Sequence, residues 1–246
     1  HMKLAEAFAF SAPVVCAVIC MIMMLMDAHA RRSNPVERRL RLFLAFAYLV
    51  SLLGWLGMVF FVLSPRVFVY YYTVFLLTLM LDQVMIYRFV SIITNTGEHP
   101  KFNRLHLIIP LLIIAVSATG SLLVPVDRQM DIIYGDAGYN SWFRVMYVTA
   151  TVIFVVYNSL YPALNLRNIR RYREFIVNYS ADAYYTSLNW QTIIQVLILV
   201  TVPLPFAGLL IGVPVAAVSS LLLFGALAYF INYLILCFNL LNSNYL

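Results

Sequence analysis

The sequence predicts an all-α, polytopic membrane protein, a bundle of seven transmembrane helices with its N-terminus outside and its C-terminus in the cytoplasm. Three observations carry this. The chain is 63% hydrophobic and only 11% charged, whereas a soluble domain carries roughly a quarter charged side chains. Its apolar runs are continuous and near the ~20 residues a helix needs to cross a bilayer, where barrel strands would alternate over ~10. Backbone polar groups in hydrocarbon must pair within the segment, which such helices achieve.

The elements follow in order. His1-Met2 reads as a cloning scar and is left out of the fold. The predicted spans are residues 8–26, 40–63, 67–93, 105–124, 143–164, 188–211 and 213–241, all in a single domain over 1–246. The first is too long for a signal peptide and contains Pro13, so it counts as a helix of the bundle. Ser64-Pro65-Arg66 and Gly212-Val213-Pro214 are tight turns, where Pro and Gly end one helix and reverse the chain. The spans they join should be antiparallel neighbours.

Orientation follows from the basic residues. Arg31, Arg32, Arg38, Arg39 and Arg41 follow the first span, Arg88, Lys101 and Arg104 surround the end of the third, and Arg167, Arg170, Arg171 and Arg173 follow the fifth. The opposite side has Lys3, Arg66, Arg128 and Arg144, together with Asp127, Asp131 and Asp136. The positive-inside rule then puts the arginine-rich connections in the cytoplasm. The net charge of +6 is accounted for by these residues and by anionic head groups beside them; it calls for no nucleic acid. Ile169 to Ile176 reads either as a short helix lying in the interface or as a continuation of the fifth helix.

Polar groups within the spans are the candidate site. Asp82 lies near the middle of the third span, where a lipid-facing carboxylate costs about 2.5–3.5 kcal/mol, so it must face protein or water. Tyr71, Phe75, Thr78 and Asp82 share a helix face, with Gln83 and Arg88 pointing elsewhere. The fifth span carries Tyr147, Thr151, Phe154, Asn158, Tyr161 and Asn165 at helical spacing, the sixth Gln191 and Gln195, and the seventh Tyr229, Asn232, Tyr233 and Asn239. Two readings stand. The stripes are glue between helices, each hydrogen bond worth about 0.6 kcal/mol, or they converge on a polar cavity for a small ligand or an ion, lined by Asp82, Thr78, Tyr71, Asn158, Thr151, Tyr147, Gln191, Gln195 and Asn232.

Other chemistry finds no residues to carry it. Cys16, Cys20 and Cys237 sit in spans and read as reduced, small apolar side chains. The histidines, His1, His29, His99 and His106, fall near ends and loops without metal-ligand spacing. No cofactor is expected: a retinal Schiff base needs a lysine in the last span, and the lysines are Lys3 and Lys101. Paired carboxylates and Ser-His arrangements are also missing from the spans, so no catalytic residue is assigned.

Short pieces carry a family resemblance. They are Ala12-Pro13 through Met26-Asp27-Ala28, then Glu37-Arg38-Arg39-Leu40-Arg41-Leu42-Phe43-Leu44, and later Tyr172-Arg173, Tyr179-Ser180-Ala181-Asp182 and Ser187-Leu188-Asn189-Trp190. The ending Tyr229-Phe230-Ile231-Asn232-Tyr233 to Asn239-Leu240-Leu241 belongs with them. In these the chain resembles the N-terminal membrane region of certain bacterial membrane-bound AraC-type transcription regulators. The resemblance implies a sensor in the bacterial inner membrane that answers an unknown small-molecule or lipid signal. It further implies homodimer geometry as a route of transmission, and DNA as a partner only through a helix-turn-helix domain beyond Leu246. The alternative is a small-solute transporter. Spans one to three and five to seven share a layout, an arrangement that resembles the three-plus-one-plus-three sugar-transporter and related small carrier folds. The Pro-Gln type signature of those carriers is absent.

Overall fold

The computed structural model describes residues 2–95, 103–134, 142–177, 188–212 and 215–243. His1, His99, Lys101, Asp136, the Tyr179-Ser180-Ala181-Asp182 stretch and the Val213-Pro214 turn lie outside the described residues. The described chain forms nine helices: α1 Met2–Ala30, α2 Pro35–Leu63, α3 Pro65–Ile93, α4 Leu105–Leu123, α5 Val126–Tyr134, α6 Trp142–Val177, α7 Asn189–Thr201, α8 Pro203–Leu210 and α9 Val215–Leu241. Seven helical stretches are long and apolar enough to cross a membrane, with α7 and α8 together forming the sixth.

Local chemistry sets the helix ends. Asn34 caps α2 by accepting from the backbone of Val36 and Glu37 at 3.2 Å, and Pro35 occupies the first helical turn, where its missing N–H costs nothing. Ser64 stands in extended conformation between α2 and α3, and Pro65 opens α3, so the predicted tight turn is present and the two helices pack as neighbours. Pro203 and Pro205 divide the sixth span into α7 and α8; neither can donate to the helix behind it, and the axis kinks there. Residues 143–164 were expected to form the fifth span, but α6 runs on to Val177, so the segment from Ile169 to Ile176 continues the helix and is not a separate interfacial one.

One element was not expected. The short helix α5 follows α4 and packs on α3 and α6, and the buried Gln129 amide donates to the carbonyls of Ser121 at 2.9 Å and Val124 at 2.6 Å. Carbonyls at a helix C-terminus lack intrahelical donors, and Gln129 supplies one from outside. Tyr134 stacks on Phe61 with ring centroids 4.9 Å apart and donates to the Phe61 carbonyl at 3.0 Å. Burial, aided by nearby Tyr147, pushes the Tyr134 hydroxyl well above the ordinary tyrosine value, which keeps it a neutral donor.

The helices pack as a ring. Going round it, α1 meets α2, α2 meets α3, α3 meets α6, α6 meets α7 and α8, these meet α9, and α9 closes on α1. Among the described residues neither α1 with α3 nor α6 with α9 makes an extensive contact. Outside the ring, α4 leans on α3 and α6 and exposes Leu105, Ile108, Leu111, Leu112, Val116, Leu122 and Leu123, the outward apolar face that lipid solvates. Glycines on α2 set the closest approach. A Cβ on Gly57 would stand 2.6 Å from the Phe75 ring and one on Gly54 2.9 Å from Leu79 of α3, the small-residue contact typical of membrane helix pairs.

Candidate functional site

Inside the ring, α2, α3, α7 and α9 enclose a cavity of about 30 Å³, room for roughly two water molecules. Helical spacing brings the polar residues there. Tyr48 and Ser51 lie one turn apart on α2, Asp82 faces them from α3, Gln191 comes from the first turn of α7, and Tyr229, Asn232 and Tyr233 share one side of α9. Leu44, Met85, Phe89, Ile194, Ile198 and Leu236 close the cavity with apolar surface. Among the described residues, Asp82 is the sole charged one in this lining.

The hydrogen bonds around the cavity are incomplete. Ser51 donates its hydroxyl to the Asp82 carboxylate, which is 2% exposed. Tyr48 donates to the backbone carbonyl of Tyr233 at 3.0 Å, and the neighbouring Gln83, buried behind the cavity, donates to the Tyr229 hydroxyl at 3.1 Å. Four side-chain atoms of the lining then remain without protein partners: the Gln191 oxygen, both amide atoms of Asn232 and the Tyr233 hydroxyl, all three residues being buried. An unsatisfied buried polar atom costs about 1–3 kcal/mol, so a site that collects several of them is built for something that pairs with them.

The predicted site residues divide into those the fold gathers and those it separates. Asp82, Gln191 and Asn232 line one cavity. Tyr147 and Thr151 line a second of about 40 Å³, nearer the other end of the ring, together with Tyr72, Phe75 and Phe154. A third of about 40 Å³ lies between them and shares Met58, Phe154, Phe206 and Leu222 with the second and Tyr229 with the first. The remaining members bind protein. Thr78 donates to the Val74 carbonyl of its own helix at 2.8 Å. Asn158 does the same to Phe154 at 2.9 Å, Tyr71 ties α3 to α2 through the Leu53 carbonyl at 2.8 Å, and Gln195 accepts from Asn165 of α6 at 3.0 Å. Gln83, expected to point elsewhere, is fully buried and joins the site's margin.

Ser51 was not among the predicted residues, although its spacing from Tyr48 and Trp55, one turn to either side, marks the same face of α2. A second missed feature is ionic. Arg41, grouped by sequence with the loop arginines, stands inside α2 and is 0% exposed. Its Nε donates to Asp27 of α1 at 2.6 Å, its guanidinium lies 3.5 Å from Glu37, and its terminal nitrogen donates to the Leu240 carbonyl near the end of α9 at 2.6 Å. Arg31 pairs with Asp27 from the exposed side at 2.9 Å. Two cations and two carboxylates thus balance where α1, α2 and α9 end together, and the negative end of the α9 dipole receives a cation. The pairing of Glu37 with Arg41 at helical i,i+4 spacing was the available signal.

The cysteines lie where α1 meets α9. Cys16 and Cys20 approach the carbonyls of Phe230 and Tyr233 at 3.8 and 3.7 Å, and all three cysteines are free and buried. His106 touches the Tyr161 hydroxyl at 2.8 Å and fastens α4 to α6. Among the described residues no group of His, Cys, Asp and Glu stands together as a metal cluster.

The fold and site define a helical bundle with seven candidate membrane crossings and one acidic, water-sized cavity. Compared with known proteins, the chain matches no protein-family model, no curated protein and no solved structure.

Proposed function

We propose that the chain is the membrane-embedded signal-receiving domain of a bacterial transcription regulator, resident in the inner membrane with its arginine-rich end in the cytoplasm. The observation that carries this reading is that α9 links the interior site to one end of the bundle. Tyr229, Asn232 and Tyr233 of α9 line the acidic cavity, and the carbonyl of Leu240, about two turns further along the same helix, is held by the buried Arg41. A change in cavity occupancy that alters the packing of α9 therefore bears on the contacts of its end. A signal acts in this way only if it binds two arrangements of the helices with different affinity. In the proposed regulator the receiver of that shift is a cytoplasmic helix-turn-helix domain carried after α9, and a homodimer is the form in which a change at two helix ends alters the spacing of two DNA-binding units.

The ring favours this over solute transport. A three-plus-one-plus-three carrier works by rocking two repeats about a site between them, which asks for two separable bodies. Here the two groups of three helices are open arcs, joined at both ends by α3 with α6 and by α9 with α1.

The test is reporter transcription from the whole regulator in cells. Asp82→Asn and Arg41→Met should each shift the basal output or the induced range at equal protein level. Output unchanged in both variants contradicts a receiving role for the cavity and its link to α9. Uptake of labelled solute by vesicles holding the wild-type chain would instead support the carrier.

A further inference from the structure

We propose that the Asp82 cavity is a binding site for one monovalent metal cation of sodium size. The argument rests on the cavity alone and stands whether or not the chain serves a DNA-binding domain. It begins from charge. Asp82 is buried at mid-helix, and among the described residues the lining contains no Lys, Arg or His to neutralise it. An ionised carboxylate isolated in low dielectric is costly enough that it either takes up a proton or acquires a cation.

The surrounding groups discriminate between these. A protonated carboxyl offers one donor and is satisfied by one acceptor. It leaves unexplained why oxygen-bearing side chains from three other helices face the same small space. Ser51 of α2 supplies a hydroxyl oxygen beside the carboxylate, and the side-chain oxygens of Gln191 on α7 and Asn232 on α9 are buried there without protein partners. Hard cations are held by such a set: one carboxylate, neutral hydroxyl and amide oxygens, and water. The charge count sets the valence, because a single carboxylate balances a single positive charge, whereas divalent sites of this kind recruit further carboxylates. Size agrees. A space of about 30 Å³ admits an ion with a water and excludes an organic ammonium of any bulk. The four-helix origin of the oxygens also gives the ion a mechanical role, since it ties α2, α3, α7 and α9 to one point.

The experiment uses the whole chain, purified and reconstituted in lipid nanodiscs, with sodium chloride replacing choline chloride at constant ionic strength. Wild-type protein should show a saturable rise in Tm of about 4 °C in sodium, and binding of radioactive sodium to nanodisc-held protein should saturate at one ion per chain. Asp82→Asn should abolish both effects. If that variant fails to fold, Asn232→Leu, which keeps the carboxylate and removes an oxygen, should move the midpoint at least tenfold to higher sodium. A Tm that is the same in sodium and choline overturns the proposal, as does a sodium response of wild-type size in either variant.

Discussion

Arg41 and Arg170 stand on the same arginine-rich side of the bundle and have opposite surroundings. Arg170 pairs with Glu174 at 3.1 Å with 83% of its side chain in solvent, and pairs of that kind contribute ~0–1 kcal/mol. Arg41 is sealed between three helix ends. Removing one partner of a buried pair leaves the other charge uncompensated, at about 3–5 kcal/mol. Arg41→Met should therefore lower the thermal midpoint of the reconstituted protein by several degrees, while Arg170→Met leaves it unchanged. Adding Asp27→Asn to Arg41→Met should recover part of the loss, and a double-mutant cycle on unfolding midpoints reads the coupling directly. Residue type alone marks both arginines as topology signals. The sequence does not say that Arg41 will meet the carbonyl of Leu240, since that contact joins residues 199 positions apart. Asp82 is the contrary case. The cost of a carboxylate in hydrocarbon made it legible as an interior residue from one letter, and Gln191 and Asn232 followed from the same logic. Thr78 and Asn158 misled, because a side chain that bonds back to its own helix shows the same polar letter as one that faces a cavity.

At the scale of elements, hydropathy and proline marked the helices well because lipid imposes one simple demand on each span. The end of α4 at Leu123 and the turn at Ser64 lie at or beside their expected places. The continuation of α6 to Val177 was open, since Arg-rich amphipathic sequence suits both an interfacial helix and a protruding one. The helix α5 was missed because its nine residues carry Asp127, Arg128 and Asp131 and look like a polar loop; its fold depends on Gln129 reaching the end of α4. Gln129→Ala should strip two carbonyls of their donor at about 1–3 kcal/mol, seen as faster hydrogen exchange across 126–134 with the rest of the bundle unaffected. The α2 and α3 contact makes a stronger demand. Gly57→Val places a branched side chain where a single carbon already stands 2.6 Å from the Phe75 ring. Overpacking of this kind costs about 1–3 kcal/mol, so the variant should unfold at lower temperature in the same lipid, and Gly57→Ala should show a smaller version of the same loss.

At the scale of the molecule, the number of crossings decides everything that follows from sidedness. Among the described residues seven helical stretches are long and apolar enough to span a bilayer, and an odd number of crossings sends the two ends of the chain to opposite faces. The proposed role asks for more: that the end of α9, beside Arg41, be the cytoplasmic one. The ring order of helices was not legible in the sequence, because hydropathy reports which segments meet lipid and says nothing of which meet each other. An expectation of sidedness does come from the sequence, through the arginines that follow α1, α3 and α6. The most direct measurement is labelling of single cysteines placed at residue 3 and at residue 243, in a background where Cys16, Cys20 and Cys237 are replaced by alanine, with an impermeant maleimide on intact bacterial cells whose outer membrane has been made porous. The account predicts that position 3 labels in intact cells and position 243 only after the inner membrane is opened. Labelling of both positions on the same side, or of position 243 alone from outside, would contradict it.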